Sequence, residues 1–174
     1  MKNTLLLLIL LLANTASAQK IVEDKKDDFK NIQVQRTDWN KIIEKMQGPV
    51  IYVRIAKLDT TYYLEAKVAY NSREGFSISK GAEFLFKLAN DTTVVLTAME
   101  TAIAMKGAVK MGMAAPKLFG TQVQYLLTKD QRDKLRKAPI VKFRIYRTDD
   151  YDDQEIKEKF QQVVQELLYL FPER

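Results

Sequence analysis

The sequence predicts an α+β fold: a curved antiparallel sheet of six to seven strands with a long C-terminal amphipathic helix packed on one face. Three observations predict it. Between Val50 and Ala98, apolar and polar residues alternate with period two, with β-branched and aromatic residues at the apolar positions. From Ile156 to Phe171, apolar residues recur at helical spacing. The chain has no cysteine, so no disulfide frame substitutes for a core.

The elements follow in order. Residues 1–18 carry Lys2, an unbroken apolar run from Leu5 to Leu12, and Ala16-Ser17-Ala18 before Gln19. That pattern reads as a secretory signal peptide. The run is shorter than the roughly 20 residues a bilayer span needs, and no later stretch approaches that length. The remainder suits one domain of roughly 100–150 residues, expected over 39–174 behind a flexible leader at 19–38. Asp38 is placed to cap a short helix over Trp39–Met46, with Ile42, Ile43 and Met46 on its apolar side and Gly48-Pro49 as its stop.

Strands are expected at Val50–Lys57 and Tyr62–Tyr70, joined by a turn at Leu58-Asp59-Thr60. A short strand begins at Phe76, and a hairpin runs through Ala82–Leu88 and Thr93–Ala98 across Asn90-Asp91. Gln122–Leu127 forms another strand. Thr128 and Gln131 form a capping box for a short helix that Pro139 ends. Ile140–Arg147 is a strand, and the last helix is expected from about Asp152 to Leu170.

Composition excludes several chemistries. Without histidine or cysteine the chain has no Ser-His-Asp or Cys-His arrangement, no imidazole or thiolate metal site and no histidine pH switch. No cofactor is expected. The net charge of +6 is interspersed rather than gathered in a stripe, so no nucleic-acid partner is expected.

Five features invite a functional reading. Ser77-Ile78-Ser79-Lys80 is a literal S-x-x-K, but on an alternating strand Ser77 and Lys80 face opposite ways, and the companion S-D-N and K-T-G are absent. Asp149 to Glu155 gathers acids that resemble either a calcium loop or, more simply, a charged cap opening the last helix. Met99–Gly120 combines Met99, Met105, Met111 and Met113 with Lys106, Lys110 and Lys117. Its readings are a loop or hairpin covering the sheet, a contact surface for a partner or lipid, or a Cu(I) site of thioethers. The candidate binding residues there are Met105, Lys106, Lys110, Met111, Met113 and Lys117. Tyr52, Tyr63 and Tyr146 would form a sugar- or peptide-binding platform if one outward sheet face carried them all. Asp59-Thr60-Thr61 and Asp91-Thr92-Thr93, both at expected turns, are similar to a short O-glycosylation acceptor motif of exported proteins in some Gram-negative bacteria.

The order Lys80-Gly81, hairpin, Gly/Ala-rich connection, Tyr125-x-Leu127-Thr128, proline, Arg144-Ile145-Tyr146, acidic turn and amphipathic helix resembles small exported domains of unknown function in Gram-negative bacteria. The resemblance covers about half of the chain and implies a fold and a compartment, not an activity. The expected function is that of an exported, periplasmic or secreted, non-enzymatic binding domain for an envelope protein, glycan or lipid surface. Its surface would be the exposed sheet face or Met99–Gly120. The alternatives are an envelope hydrolase using paired carboxylates, drawn from the acidic run or from Glu65, Glu74 and Glu83, and a membrane-surface protein.

Overall fold

The computed structural model of the chain describes residues 19–44, 48–109, 118–148 and 150–172. The expected signal peptide, Met46, Lys110, Met111, Met113, Lys117 and Asp149 lie outside the described residues. The structure is α+β with open antiparallel sheets and short helices.

The larger sheet has seven strands. Its centre is β4 (Pro49–Leu58), β5 (Thr61–Tyr70) and β11 (Phe119–Leu127), the longest strands of the chain. On the β4 side lie β2 (Ile32–Thr37), β1 (Ile21–Asp27) and β3 (Asn40–Glu44); on the β11 side lies β10 (Met105–Lys106). A second, four-stranded sheet has the order β13 (Tyr151–Glu155), β12 (Ile140–Tyr146), β7 (Glu83–Leu88), β8 (Thr93–Thr97). A small pair joins β6 (Ser77–Ile78) to β9 (Ala102–Ile103). The expected strands therefore form, but they divide between two facing sheets and the small β6–β9 pair instead of sharing one sheet.

Period-two alternation makes this arrangement stable. Ile51, Val53 and Ile55 on β4, Leu64, Ala66 and Val68 on β5, and Val123 and Tyr125 on β11 point to one side. They meet Phe84, Phe86, Leu96, Phe143 and Ile145 from the second sheet in one buried cluster. Phe84 stands 5.4 Å from Tyr125, centroid to centroid, and edge-on to Phe143 at 5.6 Å. Each such side chain contributes about 1.5–3 kcal/mol of hydrophobic burial. Helix α1 (Lys129–Lys137) and helix α2 (Val163–Tyr169) complete the layer, burying Leu135, Val163, Val164, Leu167 and Leu168. The capping box is present: Gln131 N–H donates to Thr128 Oγ1, and Thr128 N–H donates to Gln131 Oε1.

Three expectations are corrected. The described part of the expected helix at 39–46, residues 39–44, is not helical. Residues 40–44 are β3, and a register shift between Lys41 and Ile43 lets the adjacent Ile42 and Ile43 both be buried, which imitates a helical apolar face. The leader at 19–38 contains the hairpin β1–β2, whose charges pair across strands: Arg36 Nη1 donates to Glu23 Oε2 at 2.7 Å and Gln35 Nε2 donates to Asp24 Oδ2 at 3.0 Å. The hairpin is stitched to the core by the buried Thr37, whose hydroxyl accepts from Ile55 N–H.

The C-terminal helix is not long. Tyr151–Glu155 is β13, paired with β12; a 3-10 turn covers Glu158–Phe160; α2 itself has 7 residues. Ile156, Val163, Val164, Leu167, Leu168 and Phe171 are buried as their spacing predicts. The same spacing spans a strand end, a turn and a short helix because Ile156 N–H closes the strand on Val141 O.

Candidate functional site

The side of the seven-stranded sheet facing away from the core carries the candidate site. Pairing fixes its rows. Arg54, Glu65 and Gln124 lie side by side; Tyr52, Lys67 and Gln122 form the next row; Val50, Ala69 and Gly120 the next. Glu65 is the centre, and only 3% of it is exposed. Arg54 Nε donates to its Oε2 at 2.6 Å, and Arg36 Nε lies 3.6 Å from Oε1. Gln124 and Gln122 donate amide N–H groups at 3.3 and 3.5 Å. Arg36 is shared with Glu23, whose carboxyl that hydrogen bond, with help from Lys25, holds below the usual range.

Trp39, in the link between β2 and β3, spreads over this face. The Arg54 guanidinium carbon is 4.4 Å from its ring centre and Lys67 Nζ is 4.2 Å away. Both distances suit a cation on an aromatic ring. Asp38 accepts from Trp39 N–H at 2.7 Å, which fixes the entry of the indole. Lys41 Nζ stands 5.6 Å from the Tyr52 ring. Among the described residues Lys67 makes no ion pair with a carboxylate. Its pKa is held below the usual lysine value, first because partial burial strips water from the ammonium, then because Arg54 repels it.

One end of the face is closed by the connection after β10. Val109 and Leu118 are buried with Ala69, and Val50 and Tyr52 pack against them. Gly120 makes the notch: a Cβ there would stand 2.1 Å from Val109 Cγ2. Part of Met99–Gly120 therefore covers the sheet. Beside it, Ile103 is 69% and Met105 64% exposed. Met105 and Lys106 pair with Gly120 and Phe119 at the rim of the face. They are the candidate residues from the sequence that the described structure includes. Lys110, Met111, Met113 and Lys117, and with them the remainder of the thioether reading, lie outside the described residues.

The other candidates disperse. Tyr52 and Tyr63 lie on this face but Tyr146 belongs to the second sheet, so the three do not form one platform. The Ser77 hydroxyl bonds the Thr148 hydroxyl, and Lys80 is an exposed loop residue with its N–H donating to Thr101 Oγ1. The acidic run does not cap a helix. Asp152 and Asp153 are successive residues of β13 and take opposite faces. Tyr70 OH donates to Asp152 at 2.6 Å, and burial, then that bond, pushes the phenol pKa up. Arg144 grips Asp153 with two bonds of 2.6 and 2.7 Å and holds its pKa at about 2. A general acid requires a raised pKa, so Asp153 suits structure rather than proton donation. Among the described residues no cluster of three or more His, Cys, Asp or Glu could hold a metal ion. Asp59 and Asp91 both occupy positive-φ turn positions (50° and 64°), which puts both Asp-Thr-Thr triplets at hairpin tips.

Sequence reasoning missed Trp39, Arg36, Arg54 and Lys67 as a group. The available signal was Arg54, Glu65 and Lys67 at outward positions of the two most regular strands. Comparison with family models, curated proteins and solved structures finds no match for the chain.

Proposed function

We propose that the chain is an exported, non-enzymatic binding domain whose outward sheet face receives a carboxylate-bearing glycan of the cell envelope. Lys67 carries the reading. It is a partly buried ammonium beside Arg54, it rests on Trp39, and no carboxylate pairs with it among the described residues. Asp38 and Glu65 act on Lys67 only at longer range; an incoming carboxylate would supply a direct ion pair, and the Trp39 and Tyr52 rings with the Gln122 and Gln124 amides suit sugar faces and hydroxyls. The Arg36–Glu65–Arg54 network, with Glu65 buried and both arginines half-buried, supports the same reading. Removing charges from water costs several kcal/mol per ion, so such a network is a poor way to gain stability and a good way to fix side-chain positions.

The test uses the protein without residues 1–18, titrated with galacturonic acid oligomers and with neutral malto-oligosaccharides, read by amide and lysine-ammonium NMR. Expected are shifts at Trp39, Lys67, Gln122 and Gln124 with the acidic oligomer alone, a raised Lys67 pKa in the complex, and loss of binding in Lys67→Glu and Trp39→Ala. Shifts elsewhere, equal response to the neutral sugar, or binding to anionic vesicles in place of the acidic oligomer would overturn it.

A further inference from the structure

At one end of the molecule, the layer between the large sheet and the helices is left unfilled. The opening is a cleft of about 670 Å³ bounded by β2, the β4–β5 turn, the start of α1 and the tail after α2. That volume lies in the range of small-molecule sites. It opens on the core side of β4 and β5, so it is distinct from the outward face that carries Trp39.

Its two walls differ in chemistry. One is apolar: Ile21, Leu170, Phe171 and Pro172, with the Tyr62 ring edge-on to Phe171 at 5.9 Å. The other is cationic: Lys57 from β4, and Lys129 and Arg132 from α1. Arg132 lies 4.0 Å and Lys57 Nζ 5.4 Å from the centre of the Tyr62 ring, so both charges converge on one aromatic floor. Among the described residues Lys57 forms no ion pair. Lys129 pairs with Asp133 at 3.1 Å within its own exposed helix surface, an arrangement worth little and easily re-aimed. Asp59 is the carboxylate in the lining, and its Oδ1 already accepts from Gln33 N–H at 2.7 Å. Arg132 Nη1 donates to Leu127 O at 3.0 Å; in a neighbouring cleft beside Tyr169, Arg136 makes two such bonds, to Leu168 O and Phe171 O, and caps the end of α2.

We infer that this cleft binds a small organic anion with an apolar body. The anionic head would meet Lys57 and Arg132, and the body would lie along Leu170, Phe171 and Pro172. A carboxylate and a phosphate monoester share this chemistry.

The test titrates the protein with octanoate, octyl phosphate and octyltrimethylammonium, followed by amide NMR and calorimetry. Expected is saturable binding of at least one anion with shifts at Lys57, Tyr62, Arg132 and Leu170, and no such response to the cation; comparing the two anions identifies the preferred head group. Lys57→Glu should weaken anion binding about fivefold or more, the scale of one partly exposed ion pair. Leu170→Ser should weaken octanoate more than acetate, which keeps the apolar wall testable if the charge variant is unstable. No saturation by either anion, equal binding of the cation, or unchanged affinity in both variants overturns the inference. Trp39→Ala should leave it untouched, so its failure and that of the outward-face reading are separately visible.

Discussion

Replacing Gly120 by alanine adds one methyl group at the place where the connection after β10 meets the sheet. The new Cβ would fall 2.1 Å from Val109 Cγ2 and 3.2 Å from Ala69 Cβ. The first distance is far inside van der Waals contact, so Val109 has to leave its seat. Val109 is now 5% exposed, and fully exposing a valine costs at most about 1.5–3 kcal/mol. Gly120 has no positive φ, so the backbone accepts alanine, and leaving glycine in a strand returns roughly 0.5–1 kcal/mol. The net expectation is a loss of about 1–2 kcal/mol, the difference of these two effects. Urea unfolding measures it, and limited proteolysis should show new cleavage between residues 99 and 120. Val109→Ala alone should cost a similar amount, since it removes two methyl groups from the same seat. The pair should be less than additive, because with Val109 shortened the 2.1 Å clash is gone and only the 3.2 Å approach to Ala69 Cβ and the 3.4 Å approach to Val109 Cβ remain. An unchanged urea midpoint for Gly120→Ala, or additive costs in the double variant, would refute the steric argument.

Two further outcomes follow from the ion pairs. Glu65→Ala leaves the half-buried Arg54 and Arg36 on the sheet without their shared anion, so it should cost about 1–3 kcal/mol; a loss below about 1 kcal/mol in urea unfolding would show the arginines find water instead. Arg144 lowers the Asp153 pKa from 3.8 to about 2. A depressed acid stabilises above its unfolded pKa, so this contribution is present above about pH 4 and is lost as pH falls toward 2. Asp153 is 29% exposed, so the amount stays under about 1 kcal/mol. Asp153→Asn should flatten that part of the acid limb, and an identical limb in the variant would show the pair is screened.

Much of the fold was legible where one periodicity acts alone. The strands β4, β5, β7, β8, β11 and β12 and the capped helix α1 follow alternation and capping chemistry. The failures have definite causes. At Ile42-Ile43 a bulge buries two neighbours in succession, and that pattern is indistinguishable from a helical face over five residues. At Asp152–Glu155 the strand is selected by a partner far away in sequence: Arg144 and Arg147 supply cations to Asp153 and Asp152, at 2.6 and 3.0 Å. No local preference of an acidic run reveals that. The charged stretch after Gln19 lacks apolar alternation for a related reason, since its strand β1 is an edge ribbon held by Glu23–Arg36 and by Asp24 with Gln33 and Gln35. The site was partly readable. Once Asp59-Thr60 is taken as a two-residue turn, Leu58 faces Thr61, and the register places Arg54 opposite Glu65. Trp39 was hidden because the segment that carries it was assigned to a helix.

The two candidate surfaces depend on the same register. Lys57 and Tyr62 point toward the helices, whereas Arg54, Glu65 and Lys67 point away, all on β4 and β5. A slip of one residue between these strands exchanges the faces of a whole strand. It would drive the Glu65 carboxylate and the Lys67 ammonium into the layer that holds Leu64, Ala66 and Val68, where an unpaired charge costs far more than any packing returns. The outward network therefore penalises the slipped pairing more heavily than the apolar face alone could. An ion cluster around one buried carboxylate that gives little net stability can persist for this reason: it selects one register of the central hairpin, and that register aims the cations of both surfaces.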